Sequence, residues 1–268
     1  MVDSVEIVEV SPRDGIQNEK TVLSTRQKLD LIDRLAAAGL KRAEVTSFVN
    51  PKRVPQMADA DEVAKAAASR KDFVPVGLVL NRRGYDRALA TGLPELNFVV
   101  VATDTFNHRN QGSPTADTIA AFREVAGVRP RPVRLGVVVA AAFGCPFEGE
   151  VSLDRLKWVI DQVAEVEPDE LSLADTIGVA TPKDIAERVG AVRLAHPRFK
   201  LRLHLHNTRG TGIANAWAGL EAGVSALDAS FGGVGGCPFA PRATGNIATE
   251  DLVYLLDRSG VHTGVDLD

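Results

Sequence analysis

Two histidines one residue apart, His204 and His206, stand in the alternating stretch Arg-Leu-His-Leu-His at residues 202–206. Side chains at i and i+2 of a strand point to one face, so both imidazoles project together and can chelate one metal ion. A hydrogen-bonded pair without metal is the competing reading. Two oxygen donors complete a binding set: the carboxylate of Asp14, in Ser-Pro-Arg-Asp-Gly, and the side-chain amide of Asn246, in Thr-Gly-Asn. Two nitrogens and two oxygens leave two positions of an octahedron for substrate and water. The set holds no thiolate, which points to Mg²⁺ or Mn²⁺ rather than structural zinc.

Beside Asp14, Arg13 offers a fixed cation to a carboxylate or a developing enolate oxygen, with a rim salt bridge as the alternative. Glu44 and Asp175 each end an apolar run, where an unpartnered carboxylate is costly. They are expected to hold Arg13 and the metal-bound groups in place, to take part in proton transfer, or to form a purely structural ion network. Residues 232–236 carry four glycines in five positions, a composition suited to a phosphate-cradling turn or a moving lid, and Cys237 follows directly. Cys237 is therefore a candidate acid or base, against the plainer reading of a buried thiol. Cys145 sits in a similar Gly-Cys-Pro context, and nothing local says which of the two reacts.

These residues need elements to carry them. Eight short β-rich runs, at residues 5–10, 42–48, 73–80, 96–101, 134–140, 170–173, 202–206 and 226–230, alternate with amphipathic segments. Residues 26–38, for example, repeat Leu29, Ile32, Leu35 and Ala36 at helical spacing, and Gly39 supplies the stop. Thr181-Pro182 reads as a helix start with proline at the first helical position, and Glu250 and Asp251 put acids into the first turn of the last helix. Eight strand–helix units in 268 residues predict an α/β fold, one (β/α)₈ TIM barrel spanning residues 1–268 as a single domain, rather than an open sheet with two edges to protect. In such a barrel the chemistry stands where strands end, and Asp14, Glu44, Asp175, His204 and Asn246 all fall at such ends.

Composition narrows the function. Apolar residues make up 45% of the chain and charged residues 25%, enough for a large core, and the net charge of −4 shows no basic footprint for nucleic acid. No nucleic acid and no membrane partner is expected, because the longest apolar run is far short of a bilayer span. Two cysteines are too few for a disulfide framework, and the acidic N-terminus lacks the pattern of a signal peptide, so the expected location is cytoplasmic.

Arg13-Asp14-Gly15-x-Gln17 resembles the signature of the DRE-TIM metallolyase superfamily, and His204-x-His206 resembles its strand-seven metal pair. The stretches at residues 47–57, 144–149, 175–178, 235–240 and 245–253 resemble the 3-hydroxy-3-methylglutaryl-CoA lyase family, over nearly the whole chain. The resemblance implies cleavage of that thioester to acetyl-CoA and acetoacetate. On it, Asp14, His204, His206 and Asn246 are the metal ligands, Arg13 stabilises the enolate, Glu44 and Asp175 are supporting acids, and Cys237 is the catalytic cysteine. Asp14 or His204 would be the base. Gln17, Lys20, Lys52 and Arg53 are the candidate coenzyme A-binding residues, and the partner is a small-molecule acyl-CoA thioester. A homodimer or higher homo-oligomer is expected.

The chain departs from the family at Asn207 to Gly210, where Arg209 replaces an expected tyrosine, and at Ala102 to Phe106. It also stops where relatives are expected to continue with further helices. These departures keep a related lyase acting on citramalyl-CoA or a longer 3-substituted 3-hydroxyglutaryl-CoA as the alternative. Condensing relatives such as the isopropylmalate and homocitrate synthases fit the glycine-rich lid less well, and a barrel that binds without turnover fits the complete set of acid, base and metal groups less well.

Overall fold

The computed structural model describes residues 3–236 and 245–267. Eight parallel strands close into a barrel: β1 (Glu6–Glu9), β2 (Arg42–Ser47), β3 (Val74–Val79), β4 (Glu95–Val101), β5 (Arg134–Ala140), β8 (Glu170–Asp175), β9 (Leu201–Leu205) and β10 (Ala226–Ala229). Each neighbours the next in sequence, and β1 closes the ring against β10. The two remaining strands, β6 (Gly144–Cys145) and β7 (Gly149–Glu150), form a small antiparallel hairpin between β5 and β8.

Helices cover the outside in the expected alternation. They are α1 (Thr25–Ala37), α2 (Ala60–Ala68), α3 (Arg82–Leu89), α4 (Asp104–Gln111), α5 (Thr115–Val128), α6 (Leu153–Ala164), α7 (Pro182–Ala195), α8 (Gly212–Glu221) and α9 (Thr249–Arg258). Their starts follow local rules. Ser24 and Thr181 each close a capping box at α1 and α7, and Pro182 opens α7 where its missing N–H leaves no orphan. The β-hairpin and α4 were not foreseen, since β6 and β7 are two residues each and α4 lacks an apolar stripe.

Outward-facing strand residues such as Ile7, Ala43, Val45, Leu96, Phe98, Leu171, Leu173, Leu203 and Leu205 pack beneath the helices in one continuous apolar core. The barrel interior differs sharply. Its lower level holds Arg42, whose guanidinium meets Glu6, Glu95 and Glu170. Above it lie Glu44, Asn97, Ser172 and Arg202, all buried, and above those His204 and Asp228. This polar column ends at the carboxyl ends of the strands.

Candidate active site

The first loop opens with a turn that buries Ser11 and Arg13 and leaves Asp14 partly exposed. After β1 the chain enters a five-residue π-helical turn, Ser11–Gly15, in which the amides of Arg13, Asp14 and Gly15 all converge on the Val10 carbonyl, at 3.2, 2.7 and 3.2 Å. The turn rolls Arg13 and Asp14 over the mouth of the barrel. From β9, two-residue alternation sends His204 and His206 inward to meet them, leaving Leu203 and Leu205 in the outer core.

Asn246 arrives from a distance. Residues 245–248 return as an extended segment between the ends of β9 and β10: the Asn207 amide donates to the Gly245 carbonyl at 2.8 Å, and the Ile247 amide to the Leu205 carbonyl at 3.2 Å. An isolated bridge pairs His206 with Asn246 directly. Gly235 lies against this segment with φ +104°, and a Cβ there would fall 2.8 Å from the Asn246 amide nitrogen and 2.9 Å from the Asp14 carbonyl oxygen. Only glycine permits that approach.

The resulting floor is compact. His204 Nε2 and His206 Nε2 are 3.1 Å apart, and each is 3.9 Å from Asp14 Oδ2. Among the described residues, Asp14, His204 and His206 are the group able to hold a metal ion, with ligand atoms all within 4.8 Å of one another. Asn246 Nδ2 donates to Asp14 Oδ2 at 2.9 Å and to the Val234 carbonyl at 3.1 Å, so Oδ1 is the atom of this amide that could offer a lone pair to a cation.

Electrostatics prepares these atoms for a cation. Burial, then the neighbouring His204, pulls His206 down to about 4, so its imidazole is neutral at physiological pH and its lone pair is available. His206 Nδ1 is buried with no hydrogen-bond partner among the described residues. His204 Nδ1 lies 3.1 Å from Asp228 Oδ2, the carboxylate–histidine arrangement that fixes the tautomer and presents Nε2 to a metal. Burial alone would lower His204, but Asp228 and then Asp14 raise it above the usual imidazole range. Asp14 is disfavoured as an anion by burial, yet Arg13, His204 and His206 hold it well below the ordinary carboxylate range. Two nitrogens bound at right angles at about 2.1 Å from one ion would lie about 3.0 Å apart, close to the spacing of the two imidazoles. The donor set is oxygen and imidazole without sulfur, which suits a hard or borderline divalent cation.

Arg13 is the fixed cation beside this floor. Its Nε donates to Glu44 Oε2 at 2.8 Å, Nη2 bonds the same carboxylate, and Nη1 bonds Asp14. Glu44 is only 1% exposed, and its other oxygen accepts from Asn97 Nδ2 at 3.0 Å. Burial pushes the Glu44 carboxyl up, but the guanidiniums of Arg13 and Arg202 outweigh it and bring the group to about 2.

The structure thus brings together Arg13, Asp14, Glu44, His204, His206 and Asn246. Asp175 faces another way: both its oxygens accept backbone amides of its own loop, from Val179 and Ala180 at 2.9 Å each, and burial raises its pKa. It caps the β8–α7 loop and makes no hydrogen bond to Arg13. Half-buried Gln17 accepts from the Ser47 hydroxyl at 3.0 Å, bracing the first two loops against each other. Lys20, Lys52 and Arg53 are exposed on those same loops, and their side chains make no ion pair with a described residue. Cys237 lies outside the described residues, one position beyond Gly236, whose carbonyl accepts from Asn18 Nδ2 at 2.8 Å. Sequence reasoning missed Asp228, Asn97 and Arg202. The signal was available for Arg202, which precedes His204 by two residues and so shares its inward face.

Known proteins resemble this chain over nearly its whole length. The HMGL-like family model matches residues 4–268. The (R)-citramalyl-CoA lyase of Chloroflexus aurantiacus is 44% identical over 277 residues, covering 99% of this chain and 87% of the relative. The 3-hydroxy-3-isohexenylglutaryl-CoA/hydroxymethylglutaryl-CoA lyase of Pseudomonas aeruginosa is 40% identical over 264 residues, covering 98% of this chain and 88% of the relative. An HMG-CoA lyase from Acinetobacter baumannii, solved with coenzyme A and 3-methylmalate, superposes with a TM-score of 0.94 at 40% identity, covering 99% of this chain and 87% of that one.

Proposed function

The chain belongs to the HMGL-like family, and on that footing we propose that it cleaves the carbon–carbon bond of 3-hydroxy-3-methylglutaryl-CoA, releasing acetyl-CoA and acetoacetate with Mg²⁺ or Mn²⁺ as cofactor. The observation that carries this reading is the meeting of Asp14, His204 and His206 within 4.8 Å, with Arg13 bonded to the same Asp14. A floor of hard and borderline donors beside a fixed cation suits a reaction that begins at a hydroxyl and ends with negative charge on a thioester oxygen. A divalent cation held by Asp14, His204, His206 and Asn246 would acidify the tertiary hydroxyl and fix it beside the substrate carboxylate.

The residues divide the remaining work. Asp14 or His204, whose Oδ2 and Nε2 face each other across the floor, accepts the hydroxyl proton. The oxygen's electron pair forms the ketone of acetoacetate as the C2–C3 bond breaks, and that bond's pair passes into the thioester as an enolate. Arg13 has five N–H donors, of which Glu44 takes two and Asp14 one, leaving two for the enolate oxygen. Glu44 and Asn97 hold the guanidinium in place before any charge develops. The thiol of Cys237, next along the glycine-rich segment, gives its proton to C2 and completes acetyl-CoA. Lys20, Lys52 and Arg53, exposed at the same end of the barrel, are suited to the phosphates of coenzyme A.

A second reading takes citramalyl-CoA, whose carboxylate sits one methylene nearer the carbinol carbon. The likeness to the Chloroflexus lyase favours it, and the same floor serves. A panel of 3-hydroxyacyl-CoA thioesters assayed with Mg²⁺ or Mn²⁺ decides between them. The first reading expects the 3-hydroxy-3-methylglutaryl thioester to have the highest kcat/KM, and a tenfold or greater preference for citramalyl-CoA would replace it.

A further inference from the structure

Beneath the floor, Arg202 occupies a position that the reaction just described does not use. It is 1% exposed and lies inside the barrel on β9, two residues below His204. Its Nη2 is 3.5 Å from Glu44 Oε1, and its Nε is 3.4 Å from both Asp228 Oδ1 and Glu170 Oε2. Glu44 is the carboxylate that holds Arg13, and Asp228 is the one that holds His204. Arg202 therefore stands between the two anchors of the site: Arg13 to Glu44, Glu44 to Arg202, Arg202 to Asp228, Asp228 to His204.

We propose that Arg202 is a positioning residue that keeps the Arg13–Glu44 pair and the Asp228–His204 pair in a fixed relation, so that the metal floor and the enolate-stabilising cation are set by one buried charge. The inference rests on the reading that the floor holds a divalent cation. The contacts are ion pairs of 3.4 to 3.5 Å rather than short hydrogen bonds, and Nε, Nη1 and Asp228 Oδ1 have no hydrogen-bond partner among the described residues. A packing role alone would not require a guanidinium among three carboxylates. A charge placed there attracts both Glu44, on β2, and Asp228, on β10. Without it, those carboxylates repel one another, and each is free to turn from the group it orients.

The test uses the full chain and Mn²⁺ alone as the probe, followed by electron paramagnetic resonance, with kcat and KM measured in parallel. R202K keeps the charge and loses the planar fork. R202M/E170Q removes one charge of each sign and holds the net charge of the interior constant, which protects folding if R202K does not fold. E170Q alone is the control, because the described partners of Glu170 are Arg42 and Arg202. The expected result is Mn²⁺ affinity and kcat each lower by about 10- to 100-fold in R202K and in the double variant. KM for the thioester should stay within about twofold, and E170Q should bind Mn²⁺ as the wild type does. Folded variants with lowered thermal stability but wild-type Mn²⁺ affinity and kcat would overturn the inference and leave the metal reading standing. A wild-type chain that binds no Mn²⁺ would overturn both.

Discussion

Replacing Glu44 with Gln removes one negative charge from beneath Arg13 while keeping the outline of the side chain. In the folded chain the Glu44 carboxyl is held at about 2, against 4.5 unperturbed: burial raises it, and Arg13 and Arg202 more than reverse this. A carboxylate with a depressed folded pKa stabilises the fold fully above its unfolded value and loses that contribution as pH falls toward the folded one. At about 1.36 kcal/mol per unit, the difference makes ionised Glu44 worth about 3 kcal/mol at neutral pH. The same linkage removes about a quarter of that by about pH 4. E44Q should therefore be about 3 kcal/mol less stable than the wild type in urea at neutral pH, and the gap should narrow as both are taken from about pH 5 to about pH 4. Arg13 also loses the carboxylate that fixes its Nε and Nη2, so kcat for acetyl-CoA release should fall by about 100-fold. A stability gap independent of pH would refute the electrostatic account of Glu44, and an unchanged kcat would refute its role in holding Arg13.

Other outcomes follow from the same geometry. H206A removes a neutral imidazole from the floor and should weaken Mn²⁺ binding by more than about 100-fold in a calorimetric titration; binding within twofold of wild type would take His206 out of the ligand set. C237A should bind Mn²⁺ normally while kcat drops by about 100-fold or more, and normal turnover would exclude the thiol as the acid. Arg209 Nη1 donates to the Gly178 carbonyl at 2.8 Å, on the loop that Asp175 caps, three residues past His206. R209Y should shift the ratio of kcat/KM for 3-hydroxy-3-methylglutaryl-CoA over citramalyl-CoA upward by about tenfold, and an unmoved ratio would show that Arg209 has no part in acyl choice.

Much of the fold was legible because short apolar runs, rich in valine in β3, β4 and β5, alternate with amphipathic segments. The run at 5–10 shortens to Glu6–Glu9, and the run at 202–206 shifts to Leu201–Leu205, with His206 continuing the alternation as a bridge residue just past the strand. The floor was legible for a similar reason: Asp14, His204 and Asn246 are polar residues at strand ends, and only a closed barrel brings residues 14, 204 and 246 together. Asp175 is a buried strand carboxylate just as Glu44 is. What separates the two is where the carboxylate turns, and the amides of Val179 and Ala180 capture Asp175 within its own loop. Asp228 and Arg202 were missed because each reads as one charge in an ordinary strand. Their importance comes from neighbours on other strands, a relation that strand order and register create and local sequence does not carry.

The most direct test of the account is turnover of 3-hydroxy-3-methylglutaryl-CoA by the Mn²⁺-loaded chain in D₂O, with the products read by mass spectrometry. Cleavage through an enolate held by Arg13 and quenched by an exchangeable acid gives acetoacetate and an equal amount of acetyl-CoA carrying one deuterium in its methyl group. Release of free coenzyme A with the five-carbon acyl backbone intact, or acetyl-CoA without deuterium, would contradict it.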